Sequence, residues 1–419
     1  MEFFDISPSI TALADKVLHE LAPTFADIDA ITAHNQERVL AAFIANRVSA
    51  AHFAATTGYG YDDRGRDVLD AVFAQCMGAE DALVRHSIVS GTHAITLALF
   101  GILRPDDVLL AATGTPYDTL LPVISGASGS LAEFGMYYDE VALLPDGTPD
   151  LASIAARVAD NPKICMVHIQ RSCGYANRSA LSVETITRIT ETVHSVNPQA
   201  VVFVDNCYGE FVQRDEPTMY GADLMAGSLI KNPGGGIAEN GGYICGRADL
   251  IEQCAARMTT PGVGREVGAS LGHNRTLFMG LFHAPHVVGE ALKTAAFTAG
   301  LFGELGYIAD PTATAVRADI VQRLTLNDPA KLVAFCRGIQ QGSPIDAFVS
   351  PEPWAMPGYE DPVVMAAGAF TMGSSIELSA DAPLRAPYTA YLQGGTNFHA
   401  SRISIMLAAQ AMQSKSDEK

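Results

Sequence analysis

The chain has 419 residues, with 27 Lys+Arg against 46 Asp+Glu (formal charge −19), 48% hydrophobic residues and 17% charged ones. That balance is globular and supplies apolar surface for a sizeable core, whereas a disordered chain would invert the two fractions. The negative excess disfavours nucleic acid and an anionic membrane surface as partners, and leaves room for an anionic cofactor only where dipoles and a few cations converge.

Residues 9–51 carry apolar side chains at helical spacing (Leu13, Val17, Leu18 and Leu21, then Val39, Leu40, Phe43 and Ile44), and Pro23 breaks the first helix. This predicts an N-terminal helical arm over residues 1–57. Tyr59 to Arg66 reads as a polar, aromatic loop, and Asp67 to Met77 as an amphipathic helix. From there to Gly246, buried-strand runs at 83–89, 107–112, 164–169, 201–204 and 224–229 alternate with helical patterns at 92–103, 118–125, 151–159 and 182–196. The alternation predicts an α/β fold, a mainly parallel sheet covered on both faces, in a large domain over 58–304. Leu250 to Met258 and His283 to Leu305 read as helices, the second long enough to bridge domains. Beyond Gly306 the texture changes. Pro351, Pro353, Pro357 and Pro362 stand close together, and short alternating runs follow at 376–379 and 402–406. A smaller C-terminal α+β domain over 305–419 is expected, ending in a solvated tail from Ser414.

The seven cysteines (76, 165, 173, 207, 245, 254 and 336) are dispersed, with no Cys-x-x-Cys and no zinc-ligand spacing. They read as reduced cysteines of a cytoplasmic protein. Glu2 and Asp5 stand where a signal peptide carries bases, and the longest apolar stretches, 94–103 and 403–411, are too short to span a bilayer.

Only seven lysines occur, and Lys231 is the one in an unusual context: it follows the apolar run 224–230 and precedes Asn232-Pro233-Gly234-Gly235-Gly236. A lysine at the end of a buried strand is partly desolvated, which lowers its pKa and makes it a nucleophilic amine. A snorkelling lysine at a strand edge is the alternative. Asp205 follows the strand Val201–Val204, at the carboxyl end of the sheet where open α/β folds place ligands. It could ligate a metal, cap the next segment or hold a proton on a heteroaromatic nitrogen, and no second acid or His at ligand spacing supports the metal. Ser90-Gly91-Thr92-His93 closes a strand and opens a helix, which offers either an anion site or an ordinary cap. Neither a Walker loop nor a Gly-x-Gly-x-x-Gly after a strand is present, which disfavours ATP and NAD. A phosphate cup at 90–94, an acid at 205 and a lysine at 231 have the order that pyridoxal 5′-phosphate requires, with Tyr117 placed to stack on its ring.

The chain resembles the fold-type I pyridoxal-phosphate enzymes, and more narrowly the methionine gamma-lyase-like family also called aluminium resistance proteins. The resemblance is carried by Thr57 to Asp63, Ile88 to Ile95, Asp205 to Phe211, Ala226 to Gly236, Ser375 to Asp381 and Tyr391 to Gly395. It implies Lys231 as the Schiff-base lysine, Asp205 as the pyridinium partner, Tyr117 on the ring face, and Ser90, Gly91, Thr92 and Ser228 around the phosphate. It also implies that Tyr61 and Arg66 reach the phosphate of a neighbouring subunit, with Tyr59 and Arg64 as the less fitting pair and Tyr59 toward the substrate. The active sites would then be shared across a dimer, within a tetramer. Arg402 or Arg385 would meet the carboxylate of a small amino-acid substrate, the fork matching a carboxylate. Relatives carry Arg and Trp where this chain has Cys173 and Asn177, and the segment Thr396 to His399 also differs, so the substrate pocket is altered.

The activity implied is that of a lyase: the freed Lys231 amine takes the α-proton, and a γ-substituent then leaves. The leaving group is a thiolate as in methionine gamma-lyase, a halide of a specialised amino acid being the runner-up and β-elimination sharing the first carbanion. A non-catalytic metal-binding stress protein is the rival reading. His283-Ala284-Pro285-His286 is its only candidate, and that run reads more readily as a helix start.

Overall fold

The computed structural model describes residues 2–174, 176, 178–355 and 361–414, so Asn177 and Pro357 lie outside the described residues. Two helices open the chain, α1 (Pro8–Glu20) and α2 (Ala22–Ala45), with Pro23 in the first turn of the second, where a missing N–H costs nothing. The chain divides into two compact units, Asn35–His283, and Met1–His34 with Ala284–Lys419.

The unit Asn35–His283 alternates helices and strands: α3 (Arg64–Met77), β1 (Asp81–Arg85), α4 (Gly91–Ile102), β2 (Val108–Ala111), α5 (Leu121–Ser125), β3 (Tyr137–Glu140), α6 (Leu151–Asp160), β4 (Ile164–Gln170), α7 (Val183–Val196), β5 (Val201–Asp205), β6 (Leu224–Ser228), β7 (Gly242–Gly246) and α8 (Ala248–Met258). Its strands form one sheet in the order β1-β7-β6-β5-β4-β2-β3. The pairs β2/β3, β2/β4, β4/β5 and β5/β6 are parallel; β7 runs antiparallel to both neighbours. Four of the five strand runs legible in the sequence match β2, β4, β5 and β6; the run expected at 83–89 is corrected, since β1 ends at Arg85. β3 and β7 are additions: Tyr137–Glu140 is a half-exposed edge with no apolar run, and Gly242–Gly246 is bounded by glycines.

Several helices begin where a side-chain oxygen accepts from the first turn: Asp63 for α3, Ser90 for α4, Asp150 for α6 and Ser182 for α7. The loop expected through Arg66 therefore ends earlier, at Asp63, because that carboxylate caps the helix. Leu83, Ile95, Leu99, Phe203, Ile244 and Ile251 are fully buried between sheet and helices. Each contributes about 1.5–3 kcal/mol of burial. Because β4, β5 and β6 are parallel, their carboxyl ends share one edge, where Gln170 pairs in register with Asp205 and Asp205 with Ala226.

A 31-residue helix, α9 (Asn274–Glu304), continues from one unit into the other. After it come β8 (Ile308–Asp310), β9 (Gln322–Thr325), α10 (Pro329–Gln341), β10 (Val363–Ala366), β11 (Ser379–Pro383), β12 (Thr389–Gln393) and α11 (Phe398–Ser414). The five strands make an antiparallel sheet ordered β10-β11-β12-β9-β8. Its core joins Ile10, Val17 and Leu21 of α1 to Phe297 and Phe302 of α9, Phe335 of α10 and Ile405 of α11. The alternating run at 402–406 is corrected to helix. Ser401, Ser404, Ile405, Ala408, Ala409 and Met412 are among the buried positions, with Phe398 and Met406, and they recur at the helical period of 3.6, which a five-residue window cannot reveal. Pro285 likewise lies inside α9 and starts no helix; its missing N–H removes one helical hydrogen bond there.

Candidate functional site

Three elements converge at the carboxyl edge of the large sheet. Ser90 caps α4 with extended backbone, its Oγ accepting from the His93 N–H at 3.1 Å. The first-turn amides beyond it have no intrahelical partner and carry the positive end of the helix dipole. Gly91 is buried, and a β-carbon there would lie 3.2 Å from Cys207 Sγ and 3.2 Å from Ser228 Cβ. The start of α4, the end of β6 and the turn after β5 are thus in contact. Thr92 Oγ1 stands 3.1 Å from Tyr117 Oη, and the Tyr117 backbone N–H donates to Gln170 Oε1 at 2.9 Å. Burial, with the charge of Asp205 nearby, holds the Tyr117 phenol well above its ordinary value, so it stays protonated.

Asp205 ends β5 and is 4% exposed. The Cys207 N–H donates to its Oδ1 at 3.1 Å. Burial raises its carboxyl, and hydrogen bonds from Cys207 with the charges of Lys231 and Arg178 pull the other way. Arg178 is buried beside it, its guanidinium donating to the carbonyls of Gln170 (2.7 Å) and Ser172 (2.6 Å).

Lys231 is half-buried, its Nζ 3.5 Å from the centroid of the Tyr208 ring. The expectation of a lowered amine pKa is corrected. Burial does push it down, but Tyr208, Cys207 and Asp205 outweigh that and hold the ammonium above its ordinary value. The glycine run after it has a steric cause, since a β-carbon at Gly234 would lie 1.6 Å from the Leu229 carbonyl oxygen.

Beneath the turn after β5 lies a buried polar scaffold that the residue patterns did not single out. Arg171 donates to Asn206 Oδ1 (2.7 Å) and Gln213 Oε1 (3.0 Å), with Glu216 Oε2 at 3.6 Å. Glu216 accepts from the Phe211 N–H at 2.8 Å and from Asn206 Nδ2 at 3.2 Å. Glu210 accepts from Tyr243 Oη at 2.7 Å, and burial pushes its carboxyl up to about 8. The signal that could have found Arg171 and Asn206 is their polarity directly after the buried strands β4 and β5.

The remaining site residues named from the sequence stand elsewhere. Tyr59 (73% exposed) and Tyr61 (59% exposed) pair with each other, ring centroids 5.7 Å apart. Arg66 is buried, and its NH1 donates to the carbonyls of Gly60 (2.9 Å) and Gly268 (3.2 Å). Among the described residues none of these three hydrogen-bonds to Lys231, Asp205 or Tyr117. Arg385 is over half exposed, 3.5 Å from Asp361. Arg402 lies on α11, half-buried, its Nε without a hydrogen-bond partner. Arg317, which no sequence pattern marked, is buried with Nε and NH1 unbonded and NH2 donating to Gln322 Oε1 at 2.6 Å. All seven cysteines are free, no described helix is long and apolar enough to cross a membrane, and no described cluster of His, Cys, Asp or Glu could hold a metal ion.

An amine able to bond an aldehyde, a buried carboxylate, a protonated phenol, and the hydroxyls of Ser90, Thr92 and Ser228 at a helix N-terminus form a donor set that fits pyridoxal phosphate. The family model for methionine gamma-lyase matches residues 10–413. The chain belongs to the methionine gamma-lyase family. It is a fold-type I, pyridoxal-phosphate-dependent lyase of the carbon–sulfur class. The uncharacterised protein YnbB of Bacillus subtilis (strain 168) is 48% identical over 406 residues, 96% of each chain. A solved structure from Listeria monocytogenes, assigned as a cystathionine beta-lyase involved in aluminium resistance, has a TM-score of 0.94 at 48% identity, covering 96% of this chain and 100% of that one. The pyridoxal-5′-phosphate-dependent protein YhfS of Escherichia coli shares the fold at 15% identity and a TM-score of 0.63, covering 92% of this chain and 97% of that one.

Proposed function

We propose that this family member performs γ-elimination on an L-amino acid with sulfur at Cγ. The observation that carries the reading is the convergence of Lys231, Asp205 and Tyr117 at the N-terminus of α4. Bound pyridoxal phosphate supplies the electron sink for a carbanion at the substrate Cα. Lys231 would hold it covalently, Asp205 would pair with its ring nitrogen, and Ser90, Gly91, Thr92 and Ser228 would surround its phosphate.

Once free, the Lys231 amine is the base for the Cα proton; only after handing that proton on to the bound cofactor could it take a second one at Cβ, which a leaving group on Cγ requires. Tyr117 keeps its proton because it is buried, so its Oη can donate to the departing sulfur. Asp205, as an anion, keeps the ring nitrogen protonated. Arg402 is our first assignment for the substrate carboxylate, with Arg385 second. Tyr61 is assigned to the phosphate of a neighbouring subunit in a dimer within a tetramer, and Arg66 to bracing the loop that presents it, with Tyr59 beside the substrate. Free cysteines suit a cytoplasmic setting.

The test is the carbon skeleton of the product. γ-Elimination of L-methionine with one water yields methanethiol, ammonia and 2-oxobutanoate, whereas β-elimination of L-cystathionine yields homocysteine, ammonia and pyruvate. We expect 2-oxobutanoate. Pyruvate alone would replace γ- by β-elimination.

A further inference from the structure

The contact between Lys231 and Tyr208 is held by an unusual backbone. Tyr208 (φ +70°) and Phe211 (φ +61°) are both left-handed without being glycine, a conformation that is costly for a residue with a β-carbon and persists only when the surroundings over-determine it. Here they do. The Gly209 N–H donates to the Asn206 carbonyl at 2.9 Å, and a β-carbon at Gly209 would strike the Arg171 side chain at 2.4 Å. Glu216 takes the Phe211 N–H at 2.8 Å, and Asn35 Nδ2 donates to the Phe211 carbonyl at 2.9 Å. Asn232, the residue after Lys231, donates from Nδ2 to the Glu210 carbonyl at 2.9 Å. That last bond ties the lysine's own segment to the turn bearing Tyr208. The scaffold fixes a ring and an amine against each other, and 3.5 Å from the centroid is cation–π distance.

We propose that the Tyr208 ring is the seat of the Lys231 ammonium, the position the amine takes whenever it is not bound to the cofactor. Tyr208 is thus a positioning residue. The inference rests on Lys231 being the cofactor lysine, since only then does the amine alternate between two states. A lysine that has taken a proton from substrate carbon becomes an ammonium; the ring face receives that charge in place and keeps Nζ aligned for its return. Asp205, Cys207 and the Tyr208 hydroxyl also act on the amine, so the ring face must be tested apart from all three.

The test is read without cofactor. Trace acetylation of the cofactor-free protein between pH 6 and 11, followed at Lys231 by peptide mass spectrometry, gives the pH at which that amine is half deprotonated. Tyr208→Phe keeps the ring but loses the hydroxyl that hydrogen-bonds to the amine, so it should lower the midpoint less than Tyr208→Leu does. Trifluorophenylalanine introduced at position 208 keeps the shape but weakens the negative face, and should lower the midpoint by about half a unit further, a threefold change in proton affinity. Tyr208→Leu should lower it at least as far. Should Leu prevent folding, the Phe and trifluorophenylalanine pair still decides. Equal midpoints for that pair would overturn the proposal, as would a Phe midpoint as low as that of Leu. Adding pyridoxal phosphate to the wild type should protect Lys231 from acetylation. Absent protection would overturn the functional reading, while the midpoints would still decide whether the ring holds the ammonium.

Discussion

The hydroxyl of Tyr117 lies 3.1 Å from Thr92 Oγ1, which ties the loop after β2 to the first turn of α4. The contact fixes the phenol at the N-terminus of α4 with its proton in place. Tyr117→Phe should retain cofactor and lower kcat about a hundredfold for a poor sulfur leaving group, and less for a good one, since general acids contribute about 10²–10⁴-fold. Steady-state kinetics on substrates with graded leaving groups would check this, and a uniform loss would speak against the acid role.

On the proposed pairing of Asp205 with the ring nitrogen, Asp205→Asn should leave the cofactor bound and remove the charge that would keep that nitrogen protonated. A hydrogen bond to a charged group is worth about 1.5–3 kcal/mol, so α-proton exchange with deuterium oxide should fall roughly tenfold to a hundredfold. An unchanged exchange rate would remove Asp205 from the chemistry.

How much of this was legible in the sequence depends on locality. Asp205 and Lys231 stand directly after apolar strand runs, so pattern alone placed both at the sheet edge. β7 escaped because Gly242 and Gly246 bound a run of three residues, and its pairing with β1 is set by chain about 160 residues away. The alternation at 402–406 misled because Ile403 and Ile405 mimic a strand until Ala408, Ala409 and Met412 are counted. Tyr208 was invisible as a partner of Lys231, since its φ of +70° follows from Arg171 and Glu216, neither adjacent in sequence.

Glu210→Gln tests the scaffold through pH. Folded Glu210 keeps its proton up to about pH 8, against an ordinary value of 4.5. Between those values the native state binds more protons than the unfolded one, so wild-type stability falls as pH rises, by at most about 1.4 kcal/mol per unit. The Gln variant lacks that slope. Denaturant midpoints of the wild type should therefore drop further between pH 5 and pH 8 than those of the variant. Parallel shifts in the two proteins would contradict the protonated state.

Arg402→Lys should raise KM for the amino acid roughly tenfold with little change in kcat, because a point charge replaces a bidentate fork. Arg385→Lys should change KM less than about twofold, since that side chain is over half exposed and faces Asp361. The reverse order of effects would exchange the two assignments.

Borohydride reduction of the purified, cofactor-loaded protein, followed by peptide mapping, tests the central claim most directly. The account predicts a yellow absorbance that reduction bleaches, and one phosphopyridoxyl group on Lys231. Label on another lysine, or none after incubation with pyridoxal phosphate, would contradict it.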